Sequence, residues 1–472
     1  MEVLQRTANR GSVSTGPYQI DNSLKFERSS NEAVETTNQA GGNRKTWTFS
    51  AWIKRTALSE DYHTIFGAEY TNIQIMANDR PRLVLYNGTS YYADPEMLMR
   101  DTSAWYHIVV QLDTTQSTAS DRVKWWINGD RVTVFNNSTY TSMTQNTDFS
   151  GVGQPSGYGS GGYLRLGRFF SGDEGFDGYM ADVYYLNGTA AEADDFGEYD
   201  EDSGIWIPKE YTGSGYGTQG FHYKFDNSAN LGEDSSGEGH DANSFSNITA
   251  ADQSSDSPTN NFATYNALLP YADVREGATR FFNHDAGADM NLSTVAVANG
   301  KWYAEFKTPS NIAGGNGQYG VHANEGSITD GKFIGQDAWS CGPMGGSNYY
   351  RIGNVNSSAY FDSTWGQNDI MSVALDMDNK KVYFAKNGTW GNSGNPATDT
   401  NGIALPSAYE DYEWFIGASL VLNTDTFNAN YGGYTTISIS SAESDANGYG
   451  TFEYAPPTGY YAICTKNLAE FG

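Results

Sequence analysis

The residue types able to do chemistry are few in this chain and widely spaced. Six histidines occur with no spacing typical of metal ligands, at His63, His107, His222, His240, His284 and His322. The run Glu198–Asp202 brings acidic residues together, as glycoside hydrolysis requires, but it lies in a Gly-flanked loop without apolar strand residues to desolvate a carboxyl group. No Gly-x-Ser-x-Gly nucleophile elbow occurs. The sequence therefore predicts a solvated acidic loop and no enzymatic activity.

Tyrosine and tryptophan side chains recur in polar, glycine-rich segments and are better candidates for ligand contact. An aromatic face beside Asn and Asp suits stacking on a sugar ring with hydrogen bonds at its edge, and it suits protein contacts as well. The alternative is that the rings anchor their loops to the core, which is favoured for the tryptophans. The candidates for receptor or glycan binding are Tyr91, Tyr92, Trp339, Tyr349, Tyr350, Tyr360 and Trp365.

The composition indicates an all-β protein. The 472 residues include 53 glycines, 14% aromatic residues and 18% charged residues, which is typical of many turns and strands. The formal net charge of -28 repels nucleic-acid phosphates and anionic membranes, so neither is an expected partner. Cys341 and Cys464 are predicted to be buried free thiols. The first residues lack an apolar signal core, and no run of about 20 apolar residues predicts membrane insertion.

A hairpin at Asn368–Trp390 is the strongest local signal. Its first strand alternates apolar and polar residues, so that one face carries Met371, Val373, Leu375 and Met377. The aromatic return strand ends in Asn387-Gly388, a dipeptide that favours a tight turn. The segment Arg122–Asp130 has the same design and ends in another Asn-Gly pair. Both hairpins are interpreted as scaffold, with Asp376 and Asp378 serving the turn.

Further strands are predicted from alternation and from the content of Val, Ile, Tyr and Trp. One short helix is predicted at Thr189–Phe196, because Thr189 and Glu192 have capping-box spacing. The predicted strands are Trp47–Ile53, Trp105–Gln111, Tyr163–Gly167, Tyr179–Tyr185, Lys301–Phe306, Lys332–Ile334, Asp369–Leu375, Lys381–Lys386, Trp414–Ala418 and a short one that closes the chain.

The chain is predicted to contain an arm, two domains and a linker. Residues 1–22 are polar and rich in Gly and Ser, and they carry Arg6 and Arg10 within an acidic chain, which indicates an arm that docks on its own domain or on a partner. Residues 23–250 and 278–472 are each long enough for a core of their own. The loop-rich residues 251–277 are interpreted as a linker.

The first domain resembles the laminin-G-like branch of the concanavalin A-like jelly rolls. The matching segments are Thr48–Lys54, Trp105–Leu112, Trp126–Gly129 and Leu166–Asp182, in the order of that family. The second domain resembles the SPRY sandwich in Lys301–Phe306, Asp369–Trp390 and Phe415–Ala418. The two resemblances imply an all-β fold of two tandem antiparallel β-sandwiches, a jelly roll and then a SPRY-like binding module whose loops carry the contacts.

The laminin-G resemblance also implies calcium binding, as the less favoured of two interpretations. Domains of this family often bind calcium at the rim, where Asp173 and Asp177 are the candidate ligands, with Asp200 and Asp202 as a second choice. The run from Asp376 to Asn379 begins like a calcium loop but lacks the Gly and the distant Glu that complete one. Turn and surface roles are the favoured alternative, so no cofactor is expected.

The tandem arrangement resembles tail-fibre and fibre-like structural proteins of tailed bacteriophages. The resemblance implies a non-enzymatic, adhesive virion component that is made in the host cytoplasm and forms a homo-oligomer. Its expected partners are other virion proteins of the tail or capsid and a glycan or receptor on the host surface. One alternative is a capsid decoration protein or a soluble carbohydrate-binding lectin. The other is a glycan hydrolase that would use Glu198 and Asp200.

Overall fold

The chain divides into two compact units, one that ends at Thr259 and one that begins at Asn260. The computed structural model describes residues 18–37, 41–58, 61–68, 70–154, 163–169, 174–213, 215–269, 272–283, 287–309, 317–324, 332–422 and 425–472. The predicted arm residues Arg6 and Arg10 therefore lie outside the described residues, and so does Asp173.

Strands form most of the regular structure described in the first unit. They are β1 (Ser23–Phe26), β2 (Ala33–Thr37), β3 (Thr46–Arg55), β4 (His63–Ala68), β5 (Thr71–Ile75), β6 (Pro81–Tyr86), β7 (Ser90–Pro95), β8 (Tyr106–Asp113), β9 (Val123–Ile127), β10 (Asp130–Arg131), β11 (Phe135–Asn137), β12 (Tyr163–Leu166), β13 (Gly178–Asn187), β14 (Gly197–Tyr199), β15 (Trp206–Pro208), β16 (Phe221–Tyr223), β17 (Ser244–Ser246) and β18 (Gln253–Ser254). Single 3-10 turns lie at Arg28–Ser30, Ala119–Asp121, Thr139–Ser142, Ala193–Asp195 and Ala250–Asp252.

These strands build a sandwich of two antiparallel sheets. One sheet has the order β10-β9-β8-β3-β13-β1-β18, with β16 beside β13, and the other has the order β11-β7-β6-β5-β4-β12-β2-β17. Apolar side chains from both sheets share one core, in which Phe49 of β3 stacks on Phe66 of β4 with ring centroids 4.5 Å apart. Trp47 and Trp125 are fully buried there. Burial of each such ring contributes on the order of 2–3 kcal/mol.

The central strand β3 is buried on its outer face as well. Trp52 and Lys54 point away from the core, yet they are 4% and 0% exposed. The Lys54 Nζ atom lies 2.7 Å from Asp256 Oδ2, and the Trp105 indole donates to Asp256 Oδ1 at 3.1 Å. Residues near 256 therefore belong structurally to the first sandwich.

The start and the end of the first unit are joined. Strand β1 pairs with β18, with Ser23 opposite Ser254. The Thr259 hydroxyl donates to the Ile20 carbonyl at 2.7 Å and accepts from the Ile20 amide at 3.2 Å. The segment predicted as a linker, 251–277, thus begins inside the first sandwich, and its last residues form a strand of the second unit.

The second unit is another sandwich of two sheets. Its strands are β19 (Ala272–Arg275), β20 (Arg280–Asn283), β21 (Asp289–Leu292), β22 (Lys301–Lys307), β23 (Gly317–Ala323), β24 (Ser340–Pro343), β25 (Tyr350–Ile352), β26 (Val355–Asn356), β27 (Ile370–Asp376), β28 (Lys381–Lys386), β29 (Thr389–Trp390), β30 (Ile403–Ala404), β31 (Trp414–Leu420), β32 (Thr426–Asn430) and β33 (Tyr461–Ala462). Helix α1 (Thr465–Phe471) follows, and 3-10 turns lie at Gly391–Ser393 and Pro396–Thr398.

The larger sheet of this unit has the order β19-β20-β32-β22-β27-β28-β29, with β30 beside β28 and β33 parallel to β22. The smaller sheet has the order β21-β31-β23-β24-β25-β26. A core containing Trp302, Phe306 and Trp414 lies between the two sheets. The predicted fold class, an all-β protein of tandem antiparallel sandwiches, is confirmed.

The β27–β28 hairpin has the predicted inner face and an outer face that is also buried. Met371, Val373 and Leu375 lie in the core between the sheets. On the other side, Ala374 packs in a second cluster that includes Phe452 and other residues of the C-terminal segment. Asp376 is fully buried and paired with Lys301 at 2.8 Å. Alternation predicted one buried face, which packs in the core between the sheets. The other face is buried as well, because the C-terminal segment covers it.

Two predicted elements are wrong. The segment Thr189–Phe196 contains only the 3-10 turn Ala193–Asp195, because Glu192 is the cap and pairs reciprocally with Asp195, while the Thr189 hydroxyl donates to the Gly215 carbonyl. Lys332–Ile334 is not a strand, since the Ile334 amide donates to the Ser419 hydroxyl at 3.1 Å and the chain turns there. Helix α1 was not predicted. Cys341 and Cys464 are buried free thiols, as predicted.

Asn-Gly pairs lie in hairpin turns at Asn87, Asn128 and Asn387. Asn128 and Gly129 have φ angles of 50° and 81°, and they join β9 to β10 as a two-residue turn. Asn387-Gly388 joins β28 to β29 in the same way, and Asn87-Gly88 lies in the loop between β6 and β7. A side chain at Gly129 would meet the Trp206 ring at 2.3 Å, whereas nothing lies within 4 Å of a side chain at Gly88.

We expect Gly129→Ala to destabilise the first unit by about 3 kcal/mol and Gly88→Ala by about 1 kcal/mol. Both substitutions place alanine at positive φ, which costs about 1–2 kcal/mol, and only the first adds steric overlap with a packed ring. Urea unfolding of the two variants and the parent chain measures the difference. Equal destabilisation would contradict the role assigned to the Gly129–Trp206 contact.

Candidate functional site

The one Ser–His pair that the described residues show is enclosed in the first unit. The His107 ring lies between the Ser50 hydroxyl, 2.9 Å from Nε2, and the Trp206 indole, which donates to Nδ1 at 3.0 Å. Because Nδ1 accepts, the proton of the neutral ring is on Nε2 and faces Ser50. Burial lowers the pKa of His107 to about 3. The ring therefore cannot remove the Ser50 proton, and this pair is structural.

His222 has a structural role on the same sheet. Its Nε2 lies 2.6 Å from Asp182 Oδ1, and its ring stacks on Tyr184 with centroids 3.8 Å apart. The Tyr18 hydroxyl donates to the same Asp182 oxygen at 2.8 Å. The three side chains hold the beginning of the described chain against β13.

Glu305 is the most perturbed acid of the second unit. Its carboxylate is buried on β22 and accepts from the amides of Glu453 and Tyr454 at 2.9 and 2.8 Å. The Tyr303 hydroxyl and the Asn430 side-chain amide complete the shell at 3.0 and 3.2 Å. Burial raises the pKa of Glu305 to about 7, against the opposing effect of these donors. No ligand can reach this carboxylate, so it fastens the C-terminal segment to β22.

The acidic run Glu198–Asp202 is exposed. Glu198 lies on the two-stranded β14–β15 ribbon, and Asp200 occupies the turn between its strands. The Ser203 hydroxyl and amide both donate to Asp200 Oδ1 at 2.7 Å, and these bonds lower the pKa of Asp200. A solvated carboxylate with a lowered pKa is a poor general acid. The geometry fits the predicted acidic loop better than a catalytic pair.

Several carboxylates among the calcium candidates are engaged in other bonds. Asp177 Oδ1 accepts from the Arg28 amide at 2.8 Å. Asp378 accepts from the Gly300 amide, and Asp376 from the Asn379 amide, at 2.8 and 2.9 Å. Within the described ranges, no group of three His, Cys, Asp or Glu side chains is arranged to hold a metal ion.

Sequence candidate Tyr92 belongs to an accessible aromatic surface on the first unit. Strands β6 and β7 turn four half-buried side chains outward, Arg82, Val84, Tyr86 and Tyr92, and this set is called the β6–β7 face. The Arg82 guanidinium lies 4.8 Å from the Tyr92 ring centroid and forms two bonds to Asp94, at 2.9 and 2.7 Å. Hydrogen bonding to Asp94 raises the pKa of Arg82. The pair is a fixed, permanently charged platform.

The same sheet face carries an exposed tyrosine and two buried polar atoms without hydrogen-bond partners among the described residues. Tyr70, which is 38% exposed, lies beside Tyr86 with ring centroids 4.8 Å apart. Asn72 Oδ1 and Thr64 Oγ1, on neighbouring strands, are buried and have no hydrogen-bond partner among the described residues. Tyr91, the other candidate on this strand, points inward and packs edge-on against Phe149, with ring centroids 5.9 Å apart. The sequence identified Tyr92 but not Arg82 or Tyr86, which come next to it only through strand pairing.

The remaining sequence candidates lie in the second unit and do not form one site. Trp365 is 1% exposed and packs edge-on against Tyr319 at 5.1 Å. Trp339 is half-buried beside Tyr409, and the Tyr349 hydroxyl donates to the Met344 sulfur at 3.3 Å. Tyr350 packs edge-on against Tyr360. Anchoring, the alternative favoured for the tryptophans, describes Trp365.

Tyr360 lies on the floor of a cleft in the second unit, here called the Trp390 cleft. The cleft has a volume of about 440 Å³ and lies between the loop that carries Tyr360 and the β28–β29 hairpin. Its lining is Tyr360, Phe361, Asp362, Ser363, Lys386, Asn387, Thr389, Trp390, Gly391, Asn392 and Ser393. Sequence reasoning placed Trp390 at the end of a scaffold hairpin and missed its position at a cleft. The only local signal was the Asn-Gly turn, which projects the aromatic strand end outward.

Comparison with known families bears on the first unit. Residues 28–194 match the family model described as the concanavalin A-like lectin/glucanases superfamily, of laminin G type. Over these residues the first unit is therefore similar to concanavalin A-like domains. No curated protein matches the chain.

Several solved structures are distantly similar to the chain. The SPRY domain of human HERC1 is 15% identical, with a TM-score of 0.26 over 34% of this chain and 91% of that chain. A putative carbohydrate binding protein from Bacteroides ovatus ATCC 8483 is 19% identical, with a TM-score of 0.28 over 37% of this chain and 45% of that one. A pentraxin from Limulus polyphemus is 13% identical, with a TM-score of 0.25 over 35% and 76%. At this level the similarities say nothing about ligands.

The described residues form the short helix α1 and several single 3-10 turns. None of them is long and apolar enough to cross a bilayer.

We expect the stability of the second unit to fall as pH rises through Glu305 titration. A folded-state pKa of about 7, above the usual 4.5, means that this group's contribution is fully present below about pH 4.5 and is lost as the pH rises through about 7, on the order of 3 kcal/mol. Glu305→Gln removes this pH dependence. Urea unfolding at pH 4.5 and pH 8, followed by hydrogen exchange of residues 445–456, measures it.

The matched control is Glu443→Gln, which changes an exposed glutamate of the same unit. The control is expected to keep the pH dependence of the parent chain. If Glu305→Gln and the parent chain lost the same stability between pH 4.5 and pH 8, the assignment of this dependence to Glu305 would be wrong.

Proposed function

We propose that the protein is a non-enzymatic adhesive protein that recognises glycans through the β6–β7 face of its concanavalin A-like domain. The observation that carries the proposal is the fixed platform of Arg82 over Tyr92, at 4.8 Å, on a partly exposed sheet face. A sugar ring stacks on such an aromatic face, and the charged edge donates hydrogen bonds to its hydroxyl groups. The match of residues 28–194 to a lectin-containing superfamily supports the same ligand class.

The state of the chemical groups favours binding over catalysis. The Ser50–His107 pair is buried with its proton in the wrong place, Glu305 is enclosed, and the exposed Asp200 has a lowered pKa. A glycan hydrolase requires two carboxyl groups, one of them with a raised pKa, across an accessible cleft. The described residues bring no such pair together at the β6–β7 face.

We further propose that the protein is a structural component of a tailed bacteriophage virion, in a tail fibre or tail appendage. The proposal rests on the tandem order of a laminin-G-like and a SPRY-like sandwich and on the basic residues Arg6 and Arg10, which would attach the arm to other virion proteins. Capsid attachment and a soluble lectin are the alternatives. A homo-oligomer would repeat the glycan-binding face and raise its avidity.

Replacing Tyr92 with alanine is expected to weaken glycan binding about tenfold, because the stacking surface is lost and Arg82 loses its support. The full chain and the variant are compared on an array of bacterial surface polysaccharides and smaller oligosaccharides. Tyr199→Ala, which removes a tyrosine that is 49% exposed elsewhere in the same unit, serves as the control and is expected to bind like the parent chain. Equal binding by all three chains would refute the role of the β6–β7 face.

For the virion assignment, we expect antibodies against the chain to label the tail or capsid of purified phage particles in electron microscopy. Mass spectrometry of the same particles is expected to detect the protein in multiple copies. Its absence from particles, with the protein present free in lysates, would favour the soluble lectin.

A further inference from the structure

The Trp390 cleft has the size and the lining of a small-ligand site that is separate from the β6–β7 face. Its volume of about 440 Å³ lies within the roughly 300–1,000 Å³ typical of such sites. All of its lining residues come from 360–393, in the second unit.

The floor of the cleft is rigid without a ligand. Tyr360 is 5% exposed, and its hydroxyl accepts from the Phe384 amide of β28 at 3.2 Å. The Asn392 amide donates to the Tyr360 carbonyl at 2.6 Å. A side chain at Gly391 would meet the Tyr360 ring at 2.1 Å, so only glycine lets this turn rest on the ring. A preformed floor reduces the ordering cost of binding.

The rim of the cleft combines strained backbone with polar side chains. Asn392 and Ser393 are exposed, and both have a φ of 52°, a left-handed conformation that is strained for a non-glycine residue. Such strain is concentrated at ligand sites, where the surrounding structure maintains it. The half-buried Trp390 ring, held edge-on to Tyr383, provides the aromatic wall beside them.

The charges of the cleft disfavour an anionic ligand. The Lys386 ammonium donates to the Thr364 carbonyl at 2.6 Å and to the Ser363 hydroxyl at 3.1 Å, and it lies 3.4 Å from Asp369. The cation is therefore committed within the protein. The exposed Asp362 carboxylate remains on the rim, in a chain with a formal net charge of -28. An acidic sugar or a phosphate would meet repulsion there without a compensating cation.

We propose that the Trp390 cleft binds the end of a neutral saccharide. Trp390 stacks on the pyranose ring. The side-chain amide of Asn392 donates a hydrogen bond to one sugar hydroxyl, and the carboxylate of Asp362 accepts one from its neighbour. Hydroxyl groups on the rim add further hydrogen-bond partners. The proposal adds a second carbohydrate site, in the SPRY-like sandwich, to the one proposed on the first unit.

The test is titration calorimetry of the full chain in a Tyr92→Ala background, in which the first site binds about tenfold more weakly, and the further loss caused by Trp390→Ala measures binding at the cleft. The probes are neutral glucose, galactose, mannose and N-acetylglucosamine oligomers, and sialylated lactose as the acidic probe. We expect saturable binding of at least one neutral probe and no binding of the acidic one. Trp390→Ala is expected to weaken binding at least tenfold, and Trp390→Phe, which keeps a ring, only a few-fold.

Asn392→Gly is the second variant, because glycine keeps the left-handed backbone and removes only the side-chain amide. It is expected to weaken binding about tenfold while the thermal unfolding midpoint stays close to that of the parent. Tyr412→Ala, which changes a tyrosine 38% exposed outside the cleft, is the control and is expected to bind normally.

The proposal is overturned if no neutral probe binds, if the acidic probe binds better, or if Asn392→Gly and Trp390→Ala bind like Tyr412→Ala. It is also overturned if peptides from a library bind in the cleft while the neutral probes do not. Failure here leaves the proposal for the β6–β7 face intact, because that site is tested by Tyr92→Ala in the other unit.

Discussion

The arrangement of the first unit depends on one buried ion pair. Lys54 projects from the outer face of the central strand β3, and its side chain is 0% exposed beside an Asp256 that is 1% exposed. Removing one partner of such a pair would cost about 3–5 kcal/mol. A lysine at this position is therefore tolerable only if residues near 256 return to β3. That return adds β18 to the sheet and brings Trp105 to the same carboxylate.

The second unit applies the same constraint with the opposite charge. Glu305 projects from the outer face of β22, and the amides of Glu453 and Tyr454 come to it from the C-terminal segment. Lys301 of β22 and Asp376 of the neighbouring strand β27 add an ion pair. In each unit, a charged residue on the outer face of a central strand requires a late segment of the chain to cover it.

The sequence predicted strands well and their surroundings poorly. The β27–β28 hairpin was recognised from alternation and from the Asn-Gly turn that follows its second strand, because both are local. The burial of its second face depends on Phe452, Tyr460 and Cys464, far along the chain, and no local pattern reveals that. For the same reason, Tyr360 and Tyr92 were identified as loop or strand aromatics, while Trp390 and Arg82 acquired their roles only through pairing. Lys332–Ile334 was misassigned because its amide bonds go to a side chain instead of a strand.

The hydrogen-bonded contact between the start and the end of the first unit has a mechanical consequence. Ile20 and Thr259 are hydrogen-bonded to each other, and Ser23 of β1 lies opposite Ser254 of β18. Tension applied to the chain before residue 20 and after residue 259 is carried across this short bridge and does not pass through the core. The sandwich of about 240 residues is then a side branch of the force path. The β1–β18 contact would yield first under load, because its hydrogen bonds would break one after another. The β6–β7 face would keep its shape meanwhile.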